Sequence, residues 1–196
     1  MIGAVVENLV AGFLQPRRSM RRLLDGPHGI PEALLLAVLA YLISAILEVL
    51  FPVSDPRPGP SIGMHLAGLL LQFLSLFLVA GLVYGVGRRF GGRGSWRDAI
   101  LGVAWYSVVT SLVAPLTVPA RAQMVAAVDA ARDGPVEVPF GMPILLFMVA
   151  SGIMLWLFAC YVAELHRFRR TWNVLAVIFG LSAAISVVVV MLMPQA

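Results

Sequence analysis

A possible phosphate-binding loop lies in the segment Arg88–Arg97 (RRFGGRGSWR), where three glycines and one serine stand among four arginines. Glycine-rich turns can direct backbone N–H groups at a phosphate, and arginine adds charge-assisted hydrogen bonds. A Walker-type loop, however, ends in Gly-Lys-Ser/Thr after a strand, and a dinucleotide-binding loop belongs to a βαβ unit. The segment has neither feature. It therefore predicts a turn between two helices, in which Ser95 and Asp98 form a capping box at the start of the second helix.

The composition indicates an integral membrane protein. Of the 196 residues, 60% are hydrophobic and 12% are charged, and the mean hydropathy is +0.93. A soluble domain has about 25% charged residues, and one core of this size could not enclose so much apolar surface. The 14 basic residues are all arginine, which suggests a GC-rich bacterial genome. In a membrane protein this basic excess is a topology signal, so no nucleic-acid partner is expected.

Five continuous apolar segments predict an all-α, polytopic membrane protein, because a helix of about 20 apolar residues is what spans a bilayer. The predicted spans are residues 31–51, 62–87, 98–118, 141–163 and 172–193. They make up a predicted five-helix transmembrane domain over residues 31–193, which follows a basic, amphipathic segment over residues 1–30. Pro115 lies near the end of the third span, where it should kink the helix.

The distribution of arginine predicts the orientation of these spans. Eleven arginines fall in the N-terminal segment and in the loops after the second and fourth spans: Arg17, Arg18, Arg21, Arg22, Arg88, Arg89, Arg93, Arg97, Arg167, Arg169 and Arg170. The opposite side has only Arg57, Arg121 and Arg132. Since positive charge accumulates in cytoplasmic loops, we expect a cytoplasmic N terminus and, after five crossings, a C terminus outside.

Two short helices are predicted before the first span, over residues 2–14 and 17–24. Apolar residues recur at helical spacing in the first, Pro16 interrupts the pattern, and the arginines follow at i, i+4 spacing. The favoured interpretation is that both helices lie along the cytoplasmic membrane surface, with the arginines reaching lipid headgroups. The alternative is that they pack against the helical bundle, because an apolar stripe suits either surface.

The candidate binding residues are arginines that we expect to bind anionic lipid headgroups or an acidic protein partner: Arg17, Arg18, Arg21, Arg22, Arg88, Arg89, Arg93 and Arg97. The candidate helix-packing residues are small side chains repeated at four-residue intervals: Gly81, Gly85, Ala176, Gly180 and Ala184. Small residues let helix backbones approach closely in a membrane. These rows would join helices within one chain or, alternatively, between copies in a homo-oligomer.

No pattern predicts catalysis, a cofactor or a metal site. The sequence has no Ser-His-Asp arrangement, no zinc-protease motif and no pair of inward-facing carboxylates, and its three histidines are scattered. These are the groups that such chemistry requires. The hydroxyls of Ser107, Thr110 and Ser111 lie on one side of the third span. They suggest a second hypothesis, in which the protein is a small transporter or channel with a polar path beside that span.

Several motifs resemble those of a known family. The second span ends in Tyr84–Gly87 (YGVG), and the segment Phe90–Arg97 leads into a third span with Trp105–Ser107 (WYS). Together with the N-terminal segment around Leu14–Arg18 and five spans, these motifs resemble the Yip family of Rab-GTPase-interacting membrane proteins, in particular its bacterial branch. The resemblance implies a non-enzymatic protein of the bacterial inner membrane that organises membrane or scaffolds partner proteins.

Overall fold

The computed structural model describes residues 2–51, 61–130 and 141–192, with side-chain surroundings for 7–51, 61–127, 141–180 and 182–183. The helices are, in chain order, α1 (Ile2–Leu14), α2 (Pro16–Asp25), α3 (Ile30–Leu50), α4 (Ile62–Arg89), α5 (Trp96–Ser111), α6 (Val118–Ala130), α7 (Met142–Leu165) and α8 (Thr171–Leu192). A short 3₁₀ turn, Ala114–Thr117, precedes α6. These ranges contain no strand, so the all-α prediction is confirmed for them.

Three of these helices are long and apolar enough to cross a membrane: α3 with 21 residues, α4 with 28 and α7 with 24. At 1.5 Å per residue α3 is about 31 Å long, which matches a hydrocarbon core of about 30 Å. A fourth span results if α5 and the bent segment after it are counted together. α8 coincides with the predicted fifth span, but Thr171–Gly180 is shorter than a full crossing. The fifth crossing and the five-helix bundle therefore stay predictions.

The predicted third span, residues 98–118, is not one continuous helix. α5 ends at Ser111, and the helix axis bends by 59° between α5 and the segment Ala114–Ala127. Pro115 lies in the intervening 3₁₀ turn. Its ring lacks an N–H donor and would clash with the carbonyl of Ser111, four residues earlier, if the helix continued. The kink expected at Pro115 is therefore a helix end.

α5 forms the centre of the bundle. Its residues from Ala99 to Trp105 are all buried, and α3, α4 and α7 pack around it. α3 packs most extensively against α5, and it presents a row of small residues, Ala33, Ala37 and Ala40, each at most 3% exposed. Close backbone approach at small residues is a typical basis for helix packing in membranes. This alanine row was not among the predicted packing residues.

The two short helices predicted before the first span are present as α1 and α2, and their described contacts are with the bundle. The hydroxyl of Tyr161 in α7 donates a 3.0 Å hydrogen bond to the carbonyl of Gly12 in α1. Met20 of α2 is fully buried, with its methyl group beside Gly102 of α5. These contacts correspond to the alternative interpretation, in which the helices pack against the bundle. Their placement as amphipathic helices along the membrane surface stays a prediction.

Candidate functional site

The three arginine-rich segments meet at one end of the bundle. Arg17 of α2 donates a 2.8 Å hydrogen bond to the carbonyl of Phe168 in the α7–α8 turn. In the α4–α5 turn, the backbone N–H of Arg93 donates to the carbonyl of His166, at 3.3 Å. We refer to the surface formed by Arg17–Arg22, Arg88–Arg97 and Arg167–Arg170 as the basic face. The structure thus brings together the arginines that the sequence analysis assigned to one side, while the cytoplasmic location of that side stays a prediction.

Glu164 holds α2 against the end of α7. One carboxylate oxygen accepts a 3.0 Å hydrogen bond from Nε of Arg17, and the other accepts a 2.6 Å hydrogen bond from Nε of Arg21. The Glu164 side chain is only 6% exposed, whereas those of Arg17 and Arg21 are 36% and 67% exposed. The hydrogen bond to Glu164 raises the pKa of Arg21 above its usual value. Because a buried carboxylate needs a cationic partner, Arg17 and Arg21 have a structural role in this face.

The sequence analysis missed Glu164 because the predicted fourth span ended at residue 163. A signal was present, since Glu164 is the only acidic residue in α7. A lone carboxylate at the end of an apolar helix requires a partner of opposite charge nearby. The nearest arginine in the sequence is Arg167, three residues later, whereas the two that Glu164 binds lie more than 140 residues away. The partner could therefore not be identified from sequence separation.

The α4–α5 turn ends α4 with a Schellman motif. The N–H of Gly92 donates to the carbonyl of Gly87 at 2.8 Å, and the N–H of Gly91 donates to the carbonyl of Arg88 at 3.1 Å. Gly91 has a φ of +80°, a left-handed conformation that glycine adopts without a steric cost. The prediction that this segment is a turn between two helices is confirmed.

The capping box predicted at the start of α5 is also confirmed. Ser95 Oγ accepts a 3.1 Å hydrogen bond from the N–H of Asp98, and the Asp98 carboxylate accepts a 3.0 Å bond from the N–H of Ser95. These bonds satisfy backbone donors that a helix start otherwise leaves unpaired. In the same turn of helix, the guanidinium of Arg97 donates to the carbonyl of His28, just before α3. Arg97 therefore joins the α4–α5 turn to the start of the first span.

Three glycines in and before this turn make room for Leu165 and His166 at the end of α7. A Cβ atom at Gly87 or Gly92 would overlap the imidazole ring, and one at Gly94 would lie 2.8 Å from the carbonyl oxygen of Leu165. None of the three has a positive φ. They are therefore required by the close approach of the α7–α8 turn, and not by a left-handed backbone conformation. We refer to these three glycines as the glycine cradle.

His166 fixes the α7–α8 turn against α4. The imidazole is 1% exposed, and Nε2 lies 3.0 Å from the carbonyl oxygen of Val83. Nδ1 has no hydrogen-bond partner in the described part of the chain. Burial lowers the pKa of His166 below its ordinary value and outweighs the Val83 hydrogen bond, which acts in the opposite direction. The positive charge of Arg88 lowers this pKa further. A neutral ring that donates through Nε2 accounts for this geometry.

The eight candidate arginines fall into two groups. Arg17, Arg21 and Arg97 bind the bundle through Glu164 and the carbonyl of His28. The others are exposed, and none has an ion pair in the described residues: Arg18, Arg22, Arg88, Arg89 and Arg93. Binding of a headgroup or partner stays a prediction, and the second group is the one available for it.

The motifs of the basic face lie within a region that matches a known family. A family model described as the Yip1 domain matches residues 11–193. The chain belongs to the Yip1 domain family. The resemblance inferred from the sequence motifs is thereby confirmed, while assignment to the bacterial branch stays a prediction. No curated protein and no solved structure matches the chain.

The predicted small-residue rows of this Yip1-domain protein do not form close helix contacts among the described residues. A Cβ atom at Gly81 would lie 3.8 Å from the ring of Trp96, and one at Gly85 or Gly180 would meet nothing within 4 Å. Ala176 is exposed, and the side chain of Ala184 lies outside the described part. A role for these rows in contacts between copies of the protein stays a prediction.

The hydroxyl groups of the third span bind their own helix. Ser107, Thr110 and Ser111 each donate to a backbone carbonyl three or four residues earlier, at distances of 2.7 to 3.0 Å. Such local bonds occupy the hydroxyl donors that a solute would need. The observation that motivated a polar path beside this span therefore has a structural explanation. The described residues also contain no group of three or more His, Cys, Asp and Glu side chains that could hold a metal ion.

Proposed function

We propose that this Yip1-domain protein is a non-enzymatic membrane protein that organises membrane or scaffolds partner proteins through its basic face. The observation that carries the proposal is the gathering of exposed arginines from three distant segments at one end of the bundle. Like charges placed together repel one another, and an anionic surface or partner offsets that repulsion. In this proposal the bundle lies in a bacterial inner membrane, with the basic face in the cytoplasm.

The two groups of arginines support a division between structure and binding. Arg17 and Arg21 are held by Glu164, so they fix α2 in place. Arg88 and Arg89 at the end of α4 and Arg93 on the α4–α5 turn are exposed, and the glycine cradle packs this region against the end of α7. A basic side chain close to an anionic membrane surface contributes about 1 kcal/mol of attraction. Three such arginines close together make a cationic docking surface for an anionic lipid or an acidic protein.

The test is extraction of the full chain in a mild detergent, followed by identification of the proteins and lipids that co-purify. We expect a stoichiometric companion protein or enriched anionic lipid. The triple variant Arg88→Gln, Arg89→Gln, Arg93→Gln should lose it several-fold while unfolding at the same temperature as the parent. The matched control removes the same charge from the side predicted to be opposite, through Arg57→Gln, Arg121→Gln and Arg132→Gln.

Two results would overturn the proposal. One is purification of the protein with no companion and no lipid enrichment, or with the same companions in the triple variant. The other is turnover of a substrate, or flux of a solute through liposomes that contain the protein alone. A drop in unfolding temperature in the triple variant would instead assign the three arginines to the structural group.

A further inference from the structure

An apolar groove of about 340 Å³ lies between α4, α7 and α8, at the end of the bundle that carries the basic face. Phe158 and Val162 of α7 form the floor. One wall comes from α4 and the residue that follows it: Val79, Leu82, Val83, Val86, Gly87 and Phe90. The other wall comes from α8: Asn173, Val174, Val177, Ile178 and Ser182. We refer to it as the lateral groove. Its volume lies within the range of about 300 to 1,000 Å³ that is typical of small-molecule sites.

The lateral groove exists because its two walls pack against different neighbours. α4 packs against α5, whereas α8 packs against α7, and the groove is the space that remains between them. The side chain of Phe168 closes the end at the basic face, where its ring lies 5.5 Å from the imidazole of His166. The groove therefore ends at the interlocked turns that form the basic face.

The position of the lateral groove indicates that an occupant would enter it from the membrane. The rim residues Leu82 and Phe90 are 56% and 60% exposed, so the groove is open at the surface of the bundle. Two of its three helices, α4 and α7, have the length and composition of membrane spans. Exposed apolar surface on such helices faces lipid chains. The occupant that fits this opening is the acyl chain of a membrane lipid.

The charge at the end of the groove identifies the headgroup. Arg89 directly precedes Phe90, and Arg167 and Arg169 stand on either side of Phe168, so arginines are adjacent in the sequence to two residues that line this end. Among the described residues, no acidic side chain lines the groove. Charge complementarity therefore favours an anionic headgroup over a zwitterionic one.

We infer that the lateral groove binds one acyl chain of an anionic phospholipid, whose headgroup is held by the arginines at the basic face. The inference rests on the proposed function, because it gives the basic face a specific lipid. It extends that proposal by coupling headgroup binding to an apolar site within the bundle.

The test uses the full chain reconstituted in phosphatidylcholine vesicles with a small fraction of phosphatidylglycerol that carries a photoreactive diazirine on one acyl chain. After illumination, mass spectrometry locates the labelled residues. We expect labelling to concentrate in residues 79–90 and 173–182, and Val177→Trp, which fills the groove, should reduce it several-fold. Val149→Trp is the matched control, since Val149 is an exposed valine on α7 outside the groove.

The headgroup is tested with the same photoreactive chain on phosphatidylcholine, which should label the groove less. Labelling by phosphatidylglycerol should fall about fivefold for each arginine removed in Arg89→Gln and Arg169→Gln. Arg121→Gln on α6 should leave it unchanged. If Val177→Trp does not fold, Leu82→Trp fills the groove from the opposite wall.

Uniform labelling along all exposed apolar positions, or equal labelling by the two lipids, would overturn the inference. So would cross-links between two copies of the chain at Val177, because a second copy would then occupy the groove. These results are distinct from failure of the proposed function. If only the groove inference is wrong, the companion protein or the enriched anionic lipid would still co-purify with the parent and with Val177→Trp.

Discussion

The α4–α5 turn and the α7–α8 turn end their helices with the same backbone motif but with different residues. In the first, Gly91 occupies the left-handed position, with a φ of +80°. In the second, Arg167 occupies it, with a φ of +57°, and the N–H of Phe168 donates to the carbonyl of Ala163 at 2.7 Å. Both are Schellman motifs, and the second reverses the chain without any glycine.

This comparison shows what the glycines of the first turn are for. A reversal needs at most one residue in the left-handed conformation, and an arginine can serve at a steric cost. The glycine cradle is therefore explained by its neighbours at the end of α7, because His166 and Leu165 fill the space that Cβ atoms would otherwise take. The two turns pack against each other, and together they form the base of the basic face.

The largest effect is expected from Gly92→Ala, which breaks the fit between the two turns. The new Cβ would overlap the His166 ring and lie 2.7 Å from the carbonyl oxygen of Gly87. Overpacking of this kind costs about 1 to 3 kcal/mol, so the unfolding temperature in detergent should fall. Gly85→Ala, a substitution in open space on α4, is the matched control and should be neutral or slightly stabilising. Equal unfolding temperatures for the two variants would contradict the cradle.

A second, smaller effect is expected from Glu164→Gln, which removes the ion pairs between α7 and α2 at the basic face. The amide keeps the shape of the side chain but loses the charge that holds Arg17 and Arg21. We expect a lower unfolding temperature and faster trypsin cleavage within α2. Glu7→Gln, on an exposed carboxylate of α1, is the control. Unchanged protection of α2 in Glu164→Gln would contradict a role for the Glu164 carboxylate in holding the helix.

The third prediction concerns pH and the buried ring of His166. Its pKa in the folded protein is below the ordinary 6.5, because burial disfavours the charged imidazolium. Above that ordinary value both folded and unfolded chains have a neutral ring, so the full stability is present. As the pH falls below about 6.5 the unfolded chain binds the proton first, and stability decreases. The unfolding temperature should therefore fall on acidification, and less steeply in His166→Gln. Parallel pH profiles would contradict this origin.

The smallest effect is expected from Arg167→Gly, which makes the second turn resemble the first. Glycine relieves the steric cost of the left-handed position, so the free energy of unfolding should rise by about 1 kcal/mol. Arg169→Gly removes the same charge from a residue without a positive φ and should not stabilise the protein. A gain in both variants would indicate that relief of charge repulsion, and not of backbone strain, is responsible.

Local features were predictable from the sequence because they depend on residues close together in the chain. The apolar runs predicted α3, α4 and α7 within a few residues of their bounds. The capping box of Ser95 and Asp98 was predictable because its bonds join residues three apart. The arginine distribution predicted that three arginine-rich segments lie on the same side of the membrane, and the structure does bring these segments together. The Yip1 family was likewise recognisable from short motifs.

The error in the third span has a different origin. Hydropathy continues across Ser111 and Pro115, so an apolar pattern alone did not reveal where α5 ends. The helix-packing rows were chosen by spacing, although close packing also requires a partner helix on that face. The alanine row of α3 has such a partner in α5, whereas Gly85 and Gly180 face open space among the described residues.

The sequence by itself determined that this is a helical membrane protein with a basic side and a glycine-rich turn, because composition, periodicity and capping are local properties. Only the tertiary structure decided how those parts are used. It placed His166 in the glycine cradle and paired Glu164 with arginines of α2, and it left the lateral groove between α4 and α8. Contacts between residues so far apart in the chain depend on how the helices pack, and spacing along one sequence does not record that packing.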